Sequence, residues 1–210
     1  YNNNRLPVIL CIGVLTMEKI IGFHATDKAL ADSIIANGFS FSRSEEHWLG
    51  NGVYFFADPD LAVWWGNNPT NKFGVKIENP CTLFSEIESE NLLDMRRLKD
   101  YNYVAGLYYR FINSSDRKIF EAAFPKNKYI ANLRCTFFDW LHVNANIDVL
   151  VAPFSNPRAS FLENGPLPDE FNIPFVHSQI CVFKNDCIKS TIIFQEVSPH
   201  DRIKTRHRFR

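Results

Sequence analysis

Two stretches decide how this chain is read: Ile20-Ile21-Gly22-Phe23-His24-Ala25-Thr26, and Gly50-Asn51-Gly52-Val53-Tyr54-Phe55-Phe56-Ala57-Asp58 with Leu61-Ala62-Val63-Trp64-Trp65 behind it. The first is an apolar run that ends on a polar His. The second is a Gly-rich turn feeding a short apolar run that carries a Tyr, after which Asp58-Pro59-Asp60 starts a helix: a cap, a Pro in the first turn and an acid at the positive helix end. On this reading one buried strand delivers His24 and a neighbouring one Tyr54 into the same cleft, with an aromatic wall of paired Trp beside them. A His ending a strand is most often a satisfied structural residue, and Trp pairs on helices mostly pack. The two stretches carry weight together rather than singly.

Between them, Thr26 or Asp27 caps a helix whose Ala29, Leu30, Ile34 and Ile35 recur at helical spacing, closed by Asn37-Gly38. Beyond Asn67, the spacing predicts a strand over 73–77 ended by Pro80, a helical section from Ser85 to Phe124, and a short helix over 137–143. Further strands are expected over 148–152, 180–183 and 192–194, the last two separated by a turn at Lys184-Asn185-Asp186. Residues 164–174, rich in Pro and Gly, read as an exposed loop. Short strands mixed with helices point to an α+β fold rather than repeated βαβ units.

The bulk numbers suit one domain with a proper core: 210 residues, 46% hydrophobic and 22% charged. The 23 basic residues equal the 23 acidic ones, so no global field draws the chain to nucleic acid or membrane. Five cysteines with no CxxC pair and no His at metal spacing suggest thiols in a reducing compartment, hence a cytoplasmic protein with no readable metal site. The apolar run 7–15 is too short to span a bilayer, and residues 1–16 read as an N-terminal extension before Met17. Residues 17–200 form the domain. Residues 201–210, with four Arg, one Lys and one His, form a basic tail. No P-loop and no G-x-G-x-x-G is present.

His24 with Ala25-Thr26, then Gly50-x-Gly52-Val53-Tyr54-Phe55-Phe56-Ala57-Asp58, resembles the catalytic domain of ADP-ribosyltransferases of the diphtheria-toxin and poly(ADP-ribose) polymerase type. That family carries His-Gly-Thr or His-Gly-Ser, then Gly-x-Gly-x-Tyr-Phe-Ala, then a Glu on a late strand. The resemblance is confined to residues 22–65, and the middle of the chain matches nothing. It implies split antiparallel sheets that form an NAD cleft flanked by helices. It also implies that His24 bonds a ribose hydroxyl of NAD and that the backbone at Ala25 and Thr26 meets the nicotinamide amide. Tyr54 and Trp65 would sandwich the nicotinamide ring, with Trp64 as the second choice, and Ala62 stands where the family commonly has Ser.

The family's Glu position falls best on Gln179, in Ser178-Gln179-Ile180-Cys181-Val182-Phe183. Gln keeps a hydrogen bond to ribose but loses a charge whose preorganised stabilisation can be worth roughly 3–4 kcal/mol. Departure from Glu goes with transfer of single ADP-ribose units. Glu196, Glu163 or Glu170 could supply charge instead. The resemblance therefore implies an NAD-dependent mono-ADP-ribosyltransferase with NAD as co-substrate and no metal. The acceptor would be a macromolecule, with RNA or DNA slightly favoured over protein by the basic tail and the Arg43 loop. A toxin-like role with an antitoxin-like inhibitor follows by analogy only. A silent NAD- or ADP-ribose-binding module and an NAD glycohydrolase are the alternatives.

Overall fold

A computed structural model of the chain describes residues 16–41, 43, 47–67, 77–115, 117, 118, 129–155, 162, 165, 167, 170 and 174–196, the side chains of 129–132 excepted. Seven strands and four helices are described: β1 (Glu18–Asp27), α1 (Lys28–Asn37), β2 (Val53–Phe56), α2 (Pro59–Asn67), β3 (Pro80–Ser89), β4 (Leu92–Asp94), α3 (Leu98–Ile112), α4 (Tyr129–Ala145), β5 (Val149–Ser155), β6 (Val176–Val182) and β7 (Ile188–Glu196). The fold is α+β, a mostly antiparallel sheet ordered β4-β5-β6-β2-β1-β3-β7, with β4 and β5 parallel.

Local chemistry accounts for the first elements. β1 runs through His24 to Asp27, paired along its whole length with β3. Asp27 ends the strand and starts α1 with one carboxylate: Oδ1 accepts from Ala29 N at 3.1 Å, while Oδ2 accepts from Glu78 N and Asn79 N, both at 2.9 Å. Gly38 closes α1 at φ 81°, a left-handed value that suits Gly.

Three expectations are corrected. Pro80 opens β3 rather than ending a strand, at the first-residue position where a missing N–H costs no ladder bond. Ser85–Ser89 is strand, not helix: Leu83, Ser85, Ile87 and Ser89 are buried in alternation with Phe84, Glu86 and Glu88. Leu92–Asp94 is likewise a short strand, so helix begins only at Leu98. The helix expected over 137–143 is a longer one, and most of the strand expected over 73–77 lies outside the described residues.

Two apolar clusters cover the sheet's faces. On one, Val104, Leu107 and Phe111 of α3 and Phe137, Phe138 and Leu141 of α4 pack on Leu150, Ala152 and Cys181. On the other, Ala31 of α1 and Phe39 pack on Val53, Phe55, Leu83, Ile87, Val149 and Ile180. No described helix is long and apolar enough to cross a membrane. The cysteines at 81, 135, 181 and 187 are free and buried.

Candidate functional site

The site expected from the sequence falls on a seam. Two sheets are implied by the resemblance; the described strands join into one, but β1 and β2 meet through a single register pair, Phe23↔Phe56. Every residue of β2 pairs on its other side with β6. Past Phe23 the imidazole of His24 takes over the contact: Nδ1 donates to the carbonyl of Tyr54 at 2.7 Å. That bond places the ring hydrogen on Nδ1 and leaves Nε2 as an acceptor. Phe39 and Phe55 hold the ring edge-on, with centroids at 5.2 and 5.9 Å. Burial depresses the His24 pKa, with the bond to Tyr54 pulling weakly the other way. The residue stays partly exposed at the surface.

Side chains alternate along β2, so Val53 and Phe55 join the α1-side cluster while Tyr54 packs with the α3–α4 cluster. His24 and Tyr54 are therefore joined through a ring and a carbonyl, and their rings lie on opposite sides of β2. The Tyr54 hydroxyl is fully engaged by the Gly-rich turn, accepting from Leu49 N and donating to Gly50 O, both at 2.7 Å. Burial pushes its phenol pKa far up, so it is neutral. The turn is gripped in its turn by Asp139 of α4, which accepts from Asn51 N and from Asn51 Nδ2, each at 2.6 Å. Gly50 has φ 87° and no room for a Cβ, which would stand 2.7 Å from Asp139 Oδ1.

Gln179 shares the face of Tyr54. One row crosses four strands, Ala152–Gln179–Phe56–Phe23, and Tyr54 faces Cys181 in the next row along. Gln179 is partly exposed and makes no side-chain hydrogen bond among the described residues. Ala25, 5% exposed, sits under α2, where a Cβ on Gly66 would come within 3.1 Å of its own. Ala62 is buried on α2, Trp65 is partly exposed one turn on, and Thr26 is buried against β3. Glu196 lies on edge strand β7, with β2, β1 and β3 between it and β6, and pairs with Lys28 at 3.3 Å. It is not near Gln179. Glu163 lies outside the described residues, and Glu170 is exposed.

Several neighbours escaped the sequence reading. His47 tilts against Tyr54 at 5.2 Å, Trp48 against Phe154 at 5.0 Å, and the Arg134 guanidinium stands 5.1 Å from the Trp48 ring centroid. His177, stacked on Phe154 at 5.9 Å, is on the face of Gln179. That one was legible, since strand period places residues two apart on the same side. Asp139, Asn51 and Arg134 had no signal short of the fold. A hollow lined by Ile34, Gly38, Phe39 and Ile188, between α1 and β7, touches this region only through Phe39.

These elements define an α+β domain whose candidate site lies at a one-pair junction in its sheet. No model of a known family matches the chain, and no solved structure matches it. A Methanocaldococcus jannaschii protein described as uncharacterized is 20% identical over 112 residues, covering 50% of this chain and 50% of its own. The chain thus spans about half the length of that relative.

Proposed function

We propose that this chain is an NAD-dependent mono-ADP-ribosyltransferase. The observation that carries the reading is the His24–Tyr54 bond across the seam, with Ala25, Tyr54 and Gln179 on the face beside it. What supports the split that the resemblance implies is that β1 and β2, within one sheet, share a single backbone register pair, Phe23↔Phe56.

NAD fits this arrangement by its donor and acceptor chemistry. His24 Nε2 can accept from a hydroxyl of the adenosine ribose. The backbone at Ala25 and Thr26 would meet the nicotinamide amide, and Tyr54, held rigid by Leu49 and Gly50, offers a preset wall for the ring, with the partly exposed Trp65 of α2 as the candidate for its other face. Gln179, with an uncommitted side-chain amide, orients the ribose 2′-hydroxyl. In the reaction the bond from ribose C1′ to nicotinamide breaks, its electron pair neutralises the pyridinium nitrogen, and an acceptor atom bonds to C1′. A rigid site of this kind works by positioning and fixed dipoles.

Gln179 also favours a second reading, a module that binds NAD or ADP-ribose without cleaving it. Incubation with NAD labelled in the ADP-ribose part and whole-cell extract separates the readings. Label in a macromolecule supports the transferase, and nuclease or protease sensitivity assigns the acceptor. Binding without nicotinamide release supports the module. Free ADP-ribose alone means a glycohydrolase. No binding at all ends the proposal.

A further inference from the structure

The ladder between β2 and β6 runs past the last paired residues. Phe56 faces Gln179, Ala57 N donates to Ser178 O at 3.0 Å, and the chain then turns into α2 at Asp58, whose carboxylate acts electrostatically on His177. Alternation lines Tyr54 and Phe56 of β2 beside Cys181 and Gln179 of β6, with His177 next along β6 on the same face. His177 is 8% exposed and held flat by Phe154 of β5 and by Phe175 at 6.5 Å. Asp58 is anchored as the cap of α2, its Oδ1 accepting from Asp60 N at 2.8 Å and Leu61 N at 3.3 Å. Two residues along a strand span roughly 7 Å, the scale of a ribose with an acceptor atom beside it.

We infer that His177, stacked on Phe154 and Phe175, is the general base of this site and deprotonates the acceptor that attacks the ribose Gln179 holds. The inference rests on the transferase reading. It answers the difficulty that Gln179 raises, since an amide can orient a hydroxyl but cannot take a proton. As the acceptor's O–H or N–H closes on C1′, the heavy atom bonds to carbon, the C1′–N bond passes its electron pair to nicotinamide, and the released proton goes to an imidazole nitrogen of His177. The Asp58 carboxylate stabilises the imidazolium that forms. Burial keeps the resting imidazole neutral, with Asp58 opposing that shift in part. Among the described residues the Asp58 carboxylate, at the start of α2, acts on its charge, and Phe154 of β5 and Phe175, just before β6, stack on its ring.

The test compares the full chain with H177Q and D58N, using labelled NAD with whole-cell extract and, separately, NAD binding. Asn caps a helix about as well as Asp, so D58N keeps α2 even if H177Q folds poorly. Expected are NAD affinities within about twofold of the parent and transfer lowered about 100-fold in H177Q. A smaller loss is expected in D58N. The parent's transfer rate should fall on the acid side as His177 protonates, and that limb should vanish in H177Q. Transfer at the parental rate with the same acid limb in H177Q overturns the inference and leaves the transferase reading standing. Loss of NAD binding in both variants makes the pair structural and overturns it as well. A parent chain that releases no nicotinamide fails the transferase reading itself, and the inference falls with it.

Discussion

Asp139 and Asn51, 88 residues apart, are locked by two hydrogen bonds of 2.6 Å, one to the backbone and one to the side-chain amide of the same residue. The pair ties α4 to the turn whose carbonyl and amide hold the Tyr54 hydroxyl. Hydrogen bonds to a charged group contribute about 1.5–3 kcal/mol. Asp139→Ala should therefore lower unfolding free energy by about that much, read from urea titration. An unchanged midpoint would mean that the turn holds its shape without α4.

Gly52 faces the edge of β6 so closely that a Cβ would stand 2.6 Å from Val182 O and 2.7 Å from Cys181 Sγ. Backbone on one side leaves nothing to rotate away. Gly52→Ala should cost about 1–3 kcal/mol, the range for overpacking, and should shift the thermal midpoint down. A variant as stable as the parent contradicts the close β2–β6 approach.

Three histidines, His24, His47 and His177, have pKa values held below the ordinary 6.5, in each case mainly by burial. The unfolded chain therefore takes up protons that the folded chain refuses. Stability present above about pH 6.5 should be lost progressively as pH falls through that value toward the folded pKa values. Glu18 and Asp94 are shifted down from 4.5 and 3.8, so their losses come at lower pH. Urea midpoints followed downward from about pH 7.5 should fall before the carboxylates titrate. A flat or rising midpoint in that window refutes buried neutral imidazoles.

On the proposed transferase reading, Gln179 takes the place of a carboxylate that would meet developing positive charge on the ribose. If the face is the reaction face, Gln179→Glu should raise the rate of nicotinamide release by up to about 100-fold, at little cost in stability because residue 179 is partly exposed. Release no faster than the parent's would show that charge does not develop beside this residue.

The features legible in the sequence are local ones. The cap at Asp27, the helix start at Asp58-Pro59, the Gly-rich turn before Tyr54 and the α+β mixture all depend on residues a few positions apart, where propensity and capping act. β3 was hidden because its inward row is half polar: Ser85, fully buried, is satisfied by the Thr191 hydroxyl of β7 at 2.9 Å, a partner 106 residues away. Tertiary packing set the single pair through which β1 and β2 touch, the reach of the His24 ring to the Tyr54 carbonyl rather than its ring, and the bond from Ala57 N to Ser178 O that brings the start of α2 to β6. Strand order and register are set by which faces can be buried together, and that balance is struck over the whole sheet, not within any stretch of it.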